Sequence, residues 1–367
     1  VNQGPLSGEA RAGAAHGHPH DGRPSGGSPA LVRVSVFGKT DLGQTRDHNE
    51  DTFLVADLTR GQASLQPEVR EHDVGSLGSL FMVADGMGGA AAGEFASDMA
   101  VRKIHEFMEL HWTAESEPTS QRFATRLKEA VEHANAQLYA YAVANPEVRG
   151  MGTTVTAAGV LGAELYLTQI GDSRAYLVRN GSAIQLTKDQ SLMQRLVDAG
   201  ELTEEVAERS ERRNIILQAL GPDPRVKVDL TFQQVRRGDL LLICSDGLSG
   251  LVRKEEIGEV AAAHSDLPAL CSALIDLANS RGGPDNITVV AARFDGEGLP
   301  APGDGDGDAV GYRQYPLADT EATTAEHPIE TEAPAPPARR ASPLARPVTF
   351  AAFLVLLALL GLFLVLR

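Results

Sequence analysis

Leu80-Phe81-Met82-Val83-Ala84-Asp85-Gly86-Met87-Gly88-Gly89 is the stretch that makes sense of the rest of the chain. An apolar run of strand character stops at an aspartate and a glycine-rich turn. Phe81 and Val83 suit a buried strand. Gly86, Gly88 and Gly89 let the backbone turn tightly and come close to whatever Asp85 holds. A carboxylate at a buried strand end needs a partner, because an unpaired buried charge is very costly. A lone Asp-Gly pair is more often an ordinary turn, its carboxylate bonded only to its own backbone. Four further acidic motifs shift that reading.

Asn49-Glu50-Asp51 stands before the apolar Thr52-Phe53-Leu54-Val55, and Gly171-Asp172-Ser173-Arg174 follows the run at 165–170. Ser245-Asp246-Gly247 follows 239–244, and Asp285-Asn286 precedes Ile287-Thr288-Val289-Val290. Each places an acid at a strand end or tight turn. Hard cations such as Mg²⁺ and Mn²⁺ prefer oxygen ligands in octahedral geometry and keep several waters. Aspartates delivered from strand ends, with few His or Cys nearby, fit that preference and argue against zinc.

A chain of 367 residues allows one large domain with extensions or two ordinary domains, and 43% hydrophobic content supports a substantial core. A formal net charge of −16 excludes a general nucleic-acid binder, whose footprint would be basic. Cys244 and Cys271 both sit in apolar surroundings and read as buried thiols, not as a disulfide framework. The first 30 residues lack an apolar stretch, so no secretory signal is expected and the catalytic part is expected to be cytoplasmic.

Residues 1–30, rich in Gly, Ala, Pro and Ser, read as a disordered tail in which His16, His18 and His20 are solvated. Val32, Val34 and Val36 then alternate with Arg33 and Ser35 as a half-buried strand. Residues 60–77 read as a loop. Helical spacing is expected over 90–111, from Phe95, Met99, Ile104, Phe107 and Met108, and over 121–144, from Phe123, Leu127, Val131, Ala134 and Leu138. Strands are expected at 154–159, 164–170, 173–178 and 183–186, with Asn180-Gly181 as a hairpin signal. Residues 189–221 read as helical and charged. Strands near 226–233 and 239–245, a helix near 267–278 and a last strand at 286–294 complete an α+β pattern.

Beyond Asp295 the composition turns to Pro, Gly, Ala, Asp and Glu. Residues 296–347 read as a flexible acidic linker spanning about 35–45 Å as a coil. Residues 348–366 carry no charge over 19 positions, a length matching a bilayer core as a helix. They read as a single-pass transmembrane helix at the C-terminal side. Arg339, Arg340 and Arg346 precede it and only Arg367 follows, so the large N-terminal part is expected in the cytoplasm.

The succession Arg46-x-x-Asn49-Glu50-Asp51, Asp85-Gly86-Met87-Gly88-Gly89, Gly150-Met151-Gly152-Thr153-Thr154, Gly171-Asp172-Ser173-Arg174, Ser245-Asp246-Gly247 and Asp285-Asn286 resembles the metal-dependent (type 2C) Ser/Thr protein phosphatases, their bacterial branch most closely. Any one motif is weak alone, but all of them in the family's order are specific. The resemblance covers residues 31–295 and implies a four-layer αββα sandwich, two antiparallel sheets flanked by helices. It implies a centre of two Mn²⁺ or Mg²⁺ ions between the sheets. Asp85 would bridge both ions, and the Gly86 carbonyl would bind one. Asp246 and Asp285 would hold the first, Glu50 and Asp51 the second. Asp172, with Asp246, would hold a weaker third ion.

The implied function is hydrolysis of phosphoserine and phosphothreonine in proteins by a metal-bound water, counteracting bacterial Ser/Thr kinases. Its partners would be those kinases and their phosphorylated substrates, met at the membrane by a chain expected to be a monomer. The chemistry agrees: two metals about 3.5–4 Å apart can neutralise a phosphomonoester dianion and lower the pKa of a bound water. Arg46 is the expected phosphate clamp, a guanidinium matching phosphate oxygens in bidentate fashion, in preference to a surface pair with Glu50. No covalent nucleophile is needed, and Ser173, Ser245, Thr153 and Thr154 read as turn or supporting residues. Two positions depart from the family. Met87 stands where many eukaryotic relatives carry His, and Gln190 where the family often does. The segment 191–221 corresponds to the family's variable flap beside the active site.

Overall fold

The computed structural model describes residues 31–210, 212–301 and 310–317. Two antiparallel sheets lie face to face. The first runs β10 (Ser182–Gln185), β9 (Arg174–Arg179), β12 (Leu240–Cys244), β13 (Ile287–Asp295), β1 (Arg33–Asp41) and β4 (Arg70–Asp73). The second runs β11 (Asp229–Gln234), β8 (Glu164–Ile170), β7 (Val155–Leu161), β5 (Ser79–Met87), β2 (Asp51–Asp57) and β3 (Gln62–Ser64), with β6 (Gly152–Thr153) pairing to the end of β5.

Successive strand residues point to opposite faces, and here both faces of the central strands are covered. Phe53, Val55, Phe81, Val83, Leu165 and Leu167 meet Val34, Val36, Leu241, Ile243 and Val290 between the sheets. The alternate residues Leu54, Leu80, Met82 and Ala84 pack under the helices α1 (Ala90–Phe107) and α2 (Ser120–Ala144). On the far side Leu240, Leu242, Cys244, Val289 and Ala291 pack under α7 (Leu267–Ser280), and Ile257 of α6 (Lys254–Ala263) joins that layer. Double coverage explains why the central strands read as unbroken apolar runs and not as alternation.

The helix ends follow local chemistry. Thr119 accepts the Arg122 N–H at the start of α2, and Asp266 accepts the Ala269 N–H at the start of α7. α1 runs on through a π turn at Met108–Trp112, which keeps Met108 and Trp112 buried, and the Trp112 indole donates to the Leu77 carbonyl at 2.8 Å.

Several expectations need correction. β5 does not stop at Ala84: it continues through Asp85 to Met87, because Gly86 and Met87 pair with Thr153 and Gly152. The stretch 60–77 holds two short edge strands, β3 and β4, too brief and too polar to show a period. The stretch 189–221 is not one helical segment. It contains α3 (Leu192–Asp198), capped by Ser191, and α4 (Glu204–Glu208), capped by Thr203. Its remainder forms turns that return by bridges from Ser191 to Ile216 and from Thr153 to Leu220. The helix α6 was not expected.

Order also continues past Asp295, into the stretch read as linker. Residues 310–317 lie along β11: the Phe232 N–H donates to the Arg313 carbonyl at 3.0 Å and the Tyr315 N–H to the Leu230 carbonyl at 2.9 Å. The Tyr315 ring stands edge-on to Tyr166, 5.2 Å between centroids. The tail at 1–30, the linker stretches 302–309 and 318–347 and the expected transmembrane segment at 348–366 lie outside the described residues. Among the described residues no helix is long and apolar enough to cross a membrane.

Candidate active site

The acidic motifs meet in one cleft at the end of the sandwich, lined by Arg46, Glu50, Asp85, Gly86, Asp172, Asp246 and Asp285, with Met87, Thr154, Asn214, Ile216 and Asn286. Every candidate metal- or phosphate-binding residue named above therefore lines this cleft except Asp51, which is buried opposite Asp85. Topology does this. β2 and β5 are neighbours, and their register sets Asp51 directly opposite Asp85. Asp246 opens α5 (Asp246–Ser249) after β12, while Asp285 precedes β13, the partner of β12. Asp172 sits in the turn between β8 and β9, which joins the two sheets.

Backbone and hydroxyl groups brace these carboxylates. The Asp85 N–H donates to Thr154 Oγ1 at 3.1 Å, the Thr154 N–H donates to the Asp85 carbonyl at 2.8 Å, and Thr153 Oγ1 donates to that same carbonyl at 2.9 Å. Both threonines thus support the site, as the sequence suggested. Gly86 leaves no room for a side chain: a Cβ there would stand 2.1 Å from the Gly93 carbonyl and 2.7 Å from that of Glu50. Asn286 brackets the opposite wall. Its Oδ1 accepts the Glu50 N–H at 2.9 Å, and its Nδ2 donates to the carbonyls of His48 (2.9 Å) and Leu42 (3.1 Å). Sequence reasoning gave Asn286 no role, although a buried Asn beside an Asp must find partners for both ends of its amide.

Two carboxylates are turned to neighbouring donors. Asp51 accepts from Ser245 Oγ at 2.7 Å, and Asp285 accepts from Arg46 Nη2 at 2.8 Å. Arg46 therefore pairs with Asp285 and not with Glu50. Among the described residues, no three His, Cys, Asp or Glu side chains form a closed ligand cage as they stand. The donor set nevertheless fits hard cations. Asp246 Oδ1 is buried with no hydrogen-bond partner, and the floor collects oxygens with no thiolate or imidazole among them.

Electrostatics say the same. Burial pushes the Asp51 carboxyl up to about 7, with Asp246 and Asp285 adding to the shift. Burial raises Asp172 to about 8, helped by Asp246 and Asp189. It lifts Asp85 well above the usual carboxylate range, reinforced by Asp51, Asp246, Asp172 and Asp285, and it raises Asp246 and Glu50 as well. Like charges held together under low-dielectric cover resist ionisation. Cations would relieve that strain and restore the anionic ligands. The Arg46 guanidinium is raised as well, but for it the rise favours the charged form, which the hydrogen bond to Asp285 stabilises.

The two-sheet sandwich thus carries at one end a cleft of buried carboxylates with a guanidinium at its rim. Comparison with known proteins identifies the family. The protein phosphatase 2C family profile matches residues 62–276. The serine/threonine phosphatase stp of Listeria welshimeri is 36% identical over 253 residues, covering 69% of this chain and 92% of that protein. The structure of the S. agalactiae serine/threonine phosphatase superimposes with a TM-score of 0.62 at 32% identity, covering 71% of this chain and 99% of that one. The catalytic domain of the serine/threonine protein phosphatase PstP, in complex with 2 manganese ions, gives a TM-score of 0.58 at 34% identity over 72% of this chain and 99% of that one. The chain belongs to the protein phosphatase 2C family and is an enzyme, a protein phosphatase.

Proposed function

We propose that the protein removes phosphate from phosphoserine and phosphothreonine in other proteins, using two Mn²⁺ or Mg²⁺ ions held in the carboxylate pit. The observation that carries the reading is the gathering of Glu50, Asp85, Asp172, Asp246 and Asp285 in one cleft with Arg46 at its edge. Asp85 would serve both ions and the Gly86 carbonyl one of them; Asp246 and Asp285 would hold the first, Glu50 and Asp51 would serve the second, and Asp172 with Asp246 a weaker third. Bound there, the ions would neutralise the phosphate and lower the pKa of an attacking water. Arg46 would leave Asp285 to bind phosphate oxygens once a cation takes over that carboxylate. Met87 can neither give nor take a proton, so the leaving oxygen must be protonated by water or by another group.

The natural substrates would be bacterial Ser/Thr kinases and their targets. A transmembrane helix at 348–366 would tether a cytoplasmic, monomeric catalytic domain near partners at the same membrane, raising their local concentration. The test is phosphate release from a phosphothreonine peptide with and without Mn²⁺, beside an Asp85→Ala variant. Mn²⁺-dependent release lost in the variant is expected. Equal turnover by the variant would sink the assignment.

A further inference from the structure

Gln190 has no part in holding cations or phosphate as assigned above, yet it bonds Gly171 and Leu217, the chain neighbours of Asp172 and Ile216, which line the cleft. Its Oε1 accepts the Gly171 N–H at 3.0 Å, and its own N–H donates to the Gly171 carbonyl at 2.8 Å. Its carbonyl in turn accepts the Leu217 N–H at 2.7 Å, and Nε2 reaches the Lys227 carbonyl at 3.4 Å. One residue thus grips both polar groups of the glycine before Asp172 and the strand-like return of the flap after Ile216. Asp172, Asn214 and Ile216 line the same cleft.

The grip has a rigid base. The neighbouring Asp189 is locked to Arg174 by bonds of 3.0 Å from Nε and 2.7 Å from Nη2. Gln169 donates to the Gly171 and Ser173 carbonyls at 3.2 Å and accepts the Lys188 N–H at 3.1 Å. On the flap side the Leu192 N–H donates to the Ile215 carbonyl at 2.8 Å. Gly171 stands at φ +97°, a conformation any side chain would strain.

We propose that Gln190 is a positioning residue that sets the rim at Asn214 and Ile216 in register with the Asp172 turn, so that a protein substrate is aligned over the carboxylate pit. The proposal rests on the phosphoprotein reading above. A small aryl phosphate needs only the pit and Arg46, whereas a phosphopeptide extends across the rim. Removing the side-chain acceptor leaves the Gly171 N–H short of a partner while the two main-chain bonds remain.

The experiment compares the wild-type chain of 367 residues with Gln190→Met, which keeps length and packing but removes the amide. Turnover of a phosphothreonine peptide and of p-nitrophenyl phosphate is measured with saturating Mn²⁺. For the peptide, KM is expected to rise about tenfold with kcat within about twofold, as losing one partner of a buried hydrogen bond would do. For the aryl phosphate, kcat/KM is expected to fall by no more than about twofold. A parallel fall on both substrates, or no change on either, would overturn the positioning role. Wild-type protein inactive on the peptide would instead sink the function reading itself.

Discussion

Asp246 shows most directly how this site exchanges stability for chemistry. Its Oδ1 is buried without a partner, among carboxylates that raise one another's pKa. Asp246→Asn keeps the shape and removes a buried charge, so the metal-free protein should melt higher than wild type. Mn²⁺-dependent turnover should fall at least about 100-fold, beyond the loss seen for groups that only orient ligands. Thermal melts in chelator and a steady-state assay check the two halves separately. The same acids predict a pH dependence. Asp51 and Asp172 are raised to about 7 and about 8 in the folded protein, against about 3.9 when unfolded. The folded state therefore binds the extra protons, and stability is full below the unfolded value and lost as pH rises toward 8. In chelator the melting temperature should drop from pH 5 to pH 8, and Mn²⁺ should reverse the drop at the alkaline end. A flat profile would contradict the assigned burial. At this scale the sequence was largely legible, since all the acids but Asp51 stand beside Gly or Asn near a strand end. The partner of Arg46 was not: Glu50 is four positions away, whereas Asp285, 239 positions on, arrives only through the pairing of β1 with β13.

Among the elements, the strand-like segment at 310–317 has the clearest consequence. Tyr315 packs against both Tyr166 and Phe232, and its backbone covers the free edge of β11. Tyr315→Ala should cost about 1–2 kcal/mol of unfolding free energy, read by urea denaturation, with kcat/KM little changed because the segment lies away from the cleft residues. Nothing in its composition marks this segment, since its order comes from a sheet edge built more than 60 residues earlier in the chain. The long elements were readable for the opposite reason. α2 and α7 carry apolar residues at helical spacing, and β8, β12 and β13 are apolar on both faces. Where local signals are short the reading failed. α3 ends at Asp198, capped by Ala199 ahead of Gly200 at φ +71°, and α4 starts again at the Thr203 cap, so 189–221 shares a helical composition without being one helix. α6 hides in the charged run after Arg253, where the Glu256 carboxylate accepts the Arg253 N–H and pairs with Arg281 of the neighbouring helix end. That pair holds the Glu256 carboxyl down at about 2. A depressed acid stabilises above its unfolded value of about 4.3 and loses that support as pH falls toward 2. Arg281→Ala should therefore destabilise modestly at pH 7, by no more than about 1 kcal/mol for a pair this exposed, and not at all near pH 2.

For the whole molecule, three apolar layers stack two sheets and their helices, and the acids collect where the strands of both sheets end. That layout was legible because the order of motifs matched a family, whereas composition alone gave only α+β. The membrane reading belongs to this scale too. The chain of 367 residues should sediment with membranes and detach only in detergent, while a chain ending at residue 317 should stay in the supernatant. Equal partition of the two would remove the tether. The central claim, that the carboxylate pit is a two-ion catalytic centre, is tested most directly by titrating metal-stripped protein with Mn²⁺ and following calorimetric binding and phosphate release together. The account predicts that release from a phosphothreonine peptide rises with the second tightly bound ion, and that Asp246→Asn loses both. Undiminished release in the presence of chelator, with no Mn²⁺ bound, would contradict it.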